Sequence, residues 1–69
     1  MDDNWVLVYS CSKQYTAEIL KEYLADNGIA SFVLNKQDSS YLFGDIEVYT
    51  KPDDVMKAKL LIEKFELST

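Results

Sequence analysis

Along this chain the spacing of apolar positions switches between strand-like and helix-like, and the switches delimit the elements. Trp5-Val6-Leu7-Val8-Tyr9-Ser10 is a continuous β-branched and aromatic run, which predicts a first strand. From Lys13 to Asn27 the period becomes helical. Thr16, Ile19, Leu20, Tyr23 and Leu24 fall at i, i+3, i+4, i+7 and i+8 and form the predicted buried stripe, with Lys13, Glu18, Lys21, Glu22 and Asp26 mostly opposite. Ser12 is the expected N-cap, because its hydroxyl can accept from an otherwise orphan amide one turn in. Asn27-Gly28 stops the helix, with Gly28 free to turn left-handed and Ile29 able to fold back on Leu24. Ser31–Asn35 reads as a second strand, and the alternating Asp45–Thr50 as a third. Pro52 opens a second helix, with Asp53 and Asp54 expected as caps at its positive end. Val55, Ala58, Leu61, Ile62 and Phe65 supply its buried face.

This order is β-α-β-β-α. A right-handed β-α-β unit followed by an antiparallel strand packs most simply with the third strand between the first two. The expected architecture is α+β and ferredoxin-like: a three-stranded sheet of order 1-3-2, both helices on one face, and the fourth strand missing. Strand alternation then divides the side chains. Val6, Val8, Val33, Ile46 and Val48 are expected to face the helices. Trp5, Leu7, Tyr9, Phe32, Leu34, Glu47 and Tyr49 are expected on the open face. Four aromatics and two leucines left uncovered there exceed the roughly 300–600 Å² of an ordinary monomer's largest patch. The open face is therefore a candidate interface, for a homodimer or a partner protein, unless the long connection and the chain ends fold over it.

Composition narrows the options. Sixty-nine residues make a single domain, 1–69, with an ordered core over about 5–65. Twelve acidic residues against seven basic ones give a net charge of −5, and all seven bases are scattered lysines. Such a chain repels phosphate backbones and lacks the bidentate arginine contacts that would offset this, which weighs against nucleic acid and anionic membranes. No apolar run reaches the roughly 18 residues of a membrane span, and the polar start Met1-Asp2-Asp3-Asn4 lacks signal-peptide order. The expected location is cytoplasmic.

Several stretches together resemble a known family: Trp5–Tyr9, Ala17-Glu18-Ile19-Leu20, Asn27-Gly28-Ile29, Val33–Tyr41, and Pro52-Asp53-Asp54 followed by Lys57-Ala58-Lys59. They look like the small bacterial putative signal-transducing proteins. The resemblance implies a ferredoxin-like fold distantly similar to PII signalling proteins, and no family activity. In PII proteins the connection between strands two and three reaches partners and ligands. The connection 35–45 holds the same topological place here, although the basic and glycine-rich nucleotide-binding segments have no counterpart.

That connection makes Asn35, Lys36, Gln37, Asp38, Ser39, Ser40 and Tyr41 a candidate ligand or partner loop. Lys36 can meet an anion while Asn35, Ser39 and Ser40 donate hydrogen bonds, or the same residues simply make Asx- and Ser-type turns. Cys11, between a strand and a helix start, invites a redox reading. Its position three residues on is Gln14 rather than a second thiol or a serine, so a plain turn residue is the better reading. With no histidine, no nucleophile elbow and no phosphate-binding glycine loop, no catalytic residue, cofactor or metal ligand is assigned. The expectation is a non-enzymatic binding or regulatory module acting through protein contacts. The alternative is a PII-like small-molecule sensor using the 35–45 loop.

Overall fold

The computed structural model describes residues 4–37 and 45–68. The element order is β1 (Val6–Cys11), α1 (Gln14–Asp26), β2 (Ser31–Asn35), β3 (Ile46–Thr50), a 3-10 turn (Pro52–Asp54) and α2 (Val55–Leu67). The strands form one antiparallel sheet of order β1-β3-β2. Both helices pack on one side of it, α1 over β2 and β3 and α2 over β1. This is the expected α+β, ferredoxin-like arrangement, and among the described residues no fourth strand flanks β1.

The core lies between that sheet face and the helices. Ile46 and Val48 of the central strand are fully buried against Ala17, Leu20 and Leu24 of α1 and Ala58, Ile62 and Phe65 of α2. β3 alternates because only one of its faces is dry. Ile46, Val48 and Thr50 are buried, whereas Glu47 and Tyr49 are half-buried on the other side. Helix α1 ends as its sequence predicts. Gly28 has φ +82°, the Ile29 amide donates to the Leu24 carbonyl at 2.9 Å, and that of Gly28 to Ala25 at 3.0 Å. This is the paired hydrogen-bond pattern of a Schellman cap, and the left-handed residue at its centre favours glycine. Lys57 of α2 adds its ammonium to the Asn27 carbonyl at 3.0 Å.

Three local expectations are corrected. Helix α1 is rotated from the predicted stripe, since Ala17, Leu20 and Leu24 are buried while Ile19 is 54% exposed. The small Ala17 lets the helix sit close to the sheet and turns Ile19, with Tyr15 and Thr16, toward a depression of about 290 Å³ shared with Tyr9 and Phe65. Ser12 does not cap that helix. The N-cap position is Lys13, without a side-chain cap, because the strand runs on to Cys11 and delays the first helical residue to Gln14. Asp53 and Asp54 lie in the 3-10 turn, and Asp54, the N-cap of α2, makes no side-chain capping bond.

Candidate interaction face

A fourth correction concerns β1. Val6 pairs with Thr50 and Leu7 with Tyr49, but the next pair is Tyr9 with Val48, so the register slips by one residue at Val8. A bulge sets two residues of one strand against one of its neighbour and re-aims the side chains beyond it. Val8 and Tyr9 therefore both pack toward the core, and so does Cys11 opposite Ile46. Tyr9, expected on the open face, sits under the helices with its ring edge-on to Phe65 at 6.5 Å. Burial, helped by the nearby Cys11 and Glu66, holds its phenol above the ordinary tyrosine range. Cys11 is a packing residue whose thiol donates to the Lys13 carbonyl at 3.4 Å.

The remaining six predicted residues do come together. Phe32 on β2 faces Tyr49 on β3, and their rings stack at 5.0 Å with an 8° interplanar angle. Trp5, just before β1, reaches across the end of β3 and meets Phe32 edge-on at 4.9 Å and 87°. These offset-stacked and T-shaped contacts are the arrangements that ring quadrupoles favour. Lys51 lies over the Trp5 ring, 5.7 Å from its centroid. Leu7 and Leu34 flank the rings and are 45% and 40% exposed. The rings shield one another, and Tyr9 is absent from the face.

Glu47 is the acid on this face, and it is held in place. The Tyr49 hydroxyl donates to Glu47 Oε1 at 2.6 Å, and the Lys36 ammonium lies 3.5 Å from the same oxygen. The Tyr49 hydrogen bond, with help from Lys36, lowers the Glu47 carboxyl below its usual value despite desolvation. The same bond raises the Tyr49 phenol, which gives up its proton less readily beside a carboxylate. Both shifts describe one interaction and agree in direction.

The candidate loop is described only at its base. The Asn35 amide donates to Gln14 Oε1 at 2.8 Å, and Asn35 Oδ1 accepts from the Gln37 backbone at 2.8 Å. Gln37 Nε2 donates to the Ser12 carbonyl at 2.8 Å. The Lys36 amide closes the base onto the Asp45 carbonyl at 3.0 Å. Asn35 and Gln37 thus tie the loop to the start of α1, while Lys36 joins it to the sheet face through Glu47. Asp38, Ser39, Ser40 and Tyr41 lie outside the described residues. Lys51 is the residue that sequence reading missed; its one signal was its place two residues after Tyr49, in step with the alternation of β3. No group of three or more potential metal ligands occurs among the described residues.

Fold and face together define an open-faced, two-layer α+β fold whose sheet carries an aromatic surface. The chain belongs to the family described as "putative prokaryotic signal transducing protein", whose model matches residues 5–66. No curated protein and no solved structure gives a significant match.

Proposed function

We propose that this chain is a non-enzymatic cytoplasmic binding or regulatory module that makes protein contacts through its open sheet face, with the base of the 35–45 loop at the margin. The observation that carries this reading is the Trp5–Phe32–Tyr49 stack flanked by the exposed Leu7 and Leu34, on a side that neither helix covers. Rings already packed against each other present a rigid surface, so a partner gains contact with little side-chain ordering. Aromatic residues also carry a disproportionate share of contact energy at protein interfaces. The family description, with its reference to signal transduction, is compatible with such a role. No described helix is long and apolar enough to cross a membrane.

A photo-crosslinking residue placed in living cells at Leu7, at Leu34, or at Lys21 on the outer side of α1 tests this. The expected result is protein adducts from Leu7 and Leu34 and none from Lys21. Absence of adducts at both leucines, or an equal yield at Lys21, overturns the sheet face as a contact surface.

A further inference from the structure

We propose that a groove between the outer flank of α2 and the free edge of β1 receives an amphipathic helix of a protein partner, apolar at one end of its contact stripe and basic at the other. The groove lies on the helical side of the sheet and is independent of the aromatic face.

A helix that covers a sheet needs apolar residues only on the side it buries. Helix α2 buries Ala58, Ile62 and Phe65, yet Met56 and Leu60, one turn apart on its outer flank, are 80% and 62% exposed. They border a groove of about 460 Å³ that also reaches the buried Ile62 and the half-buried Val8. Val8 is there because the β1 register slips at it, turning its side chain toward the helices. Among the described residues none of α1 lines the groove. It therefore runs on the side of α2 away from α1, along the edge of β1 that pairs with no described strand.

Polarity along the groove specifies the occupant. Met56 and Leu60 line the part nearer the start of α2, and the exposed Glu63 and Glu66 line the part nearer its end. Lys59 is the one cation among the described lining residues, so Glu63 and Glu66 against Lys59 leave a formal charge of −1. An occupant that covers Met56 and Leu60 and meets the two carboxylates carries apolar side chains first and lysine or arginine after them. Met56 to Glu66 spans about 15 Å, or about three helical turns. On a helix of that length, apolar residues at i and i+4 and basic ones at i+7 and i+11 share a stripe, the spacing by which helices anchor in grooves. The pliable side chain of Met56 suits such a contact.

An added strand fits less well. It would have to pair along β1, where the bulge at Val8 interrupts the edge, a device that discourages strand addition. A helix reaches the side chains of α2 without backbone pairing. A second copy of the chain brings a net charge of −5 of its own toward the two carboxylates.

The test is a selection of displayed, helix-forming peptides of about 16 residues, randomised on one face, against the folded chain. Leucine, isoleucine, methionine or phenylalanine should be enriched at i and i+4, with lysine or arginine at i+7 and i+11. Binding of a selected peptide, followed by calorimetric titration, should weaken about tenfold with Leu60→Ser and with Glu63→Lys, and stay unchanged with Leu7→Ser on the sheet face. Exchanging the peptide's basic residues for glutamate should restore binding to Glu63→Lys to within about threefold of the original pair. All three substituted sites are exposed, and circular dichroism verifies that each variant is folded. No enrichment, or enrichment of acidic or extended β-branched sequences, overturns the proposal. So do peptides that bind the Leu60→Ser variant as well as wild type, and so does a dimer of the chain that Glu63→Lys dissociates, which would give the groove to a second copy.

Discussion

At the scale of single residues, the Glu47–Tyr49 pair shows how a charge is kept on a largely apolar face. Glu47 is only 12% exposed in its side chain, and the carboxylate retains its charge because Tyr49 donates to it and Lys36 lies beside it. A carboxyl whose folded value is depressed contributes stability above its ordinary value of 4.5 and loses it as pH falls through the lower, folded value. Tyr49 gives the mirror case. Its raised phenol contributes stability fully below 10.0, and the contribution is lost as pH rises through the higher, folded value. Tyr49→Phe removes the hydroxyl that donates to Glu47 Oε1 at 2.6 Å. The Glu47 titration, followed by carboxyl NMR, should then move upward toward 4.5. An unmoved midpoint would mean that Lys36, not the phenol, holds the charge.

At the scale of elements, the bulge in β1 decides which aromatic residues belong to the core and which to the surface. Regular alternation would put Leu7 and Tyr9 on one face, whereas the slip at Val8 separates them. The two residues therefore answer the same substitution differently. At micromolar concentration, Leu7→Ser should change stability by no more than about 0.5 kcal/mol, as exposed positions do. Tyr9→Ser removes a ring packed on Phe65 and should cost about 2–3 kcal/mol, measured by urea unfolding. Equal costs at the two positions would contradict the slipped register. The helices were legible to different degrees. Ala58, Ile62 and Phe65 of α2 are buried as their spacing predicts, while in α1 the fully buried position is Ala17, too small to weigh in an apolar count, rather than Ile19.

At the scale of the whole molecule, the described core is limited to a few buried side chains, so any association adds measurably to its stability. A partner that binds only the folded state through the sheet face must raise the chain's Tm, and Leu7→Ser should flatten that rise, as scanning calorimetry can show.

Sequence alone determined what depends on neighbours a few residues apart. That includes the five main elements, the glycine-terminated α1, the proline-opened α2 and, through the order β-α-β-β-α, the 1-3-2 sheet with one open face. The family membership of residues 5–66 is likewise a property of the sequence. Tertiary structure decided what depends on register and on close approach. Nothing local in Trp5–Ser10 marks the bulge, because Val8 and Tyr9 are both good strand formers on either face, and only pairing with β3 assigns them to the core. Nor does spacing reveal that Trp5, Phe32 and Tyr49 shield one another, or that Lys51 reaches the Trp5 ring, since these residues are far apart along the chain. Side-chain period fixes which face a residue prefers, but the contacts that give a face its shape and charge form only when strands distant in sequence are hydrogen-bonded side by side.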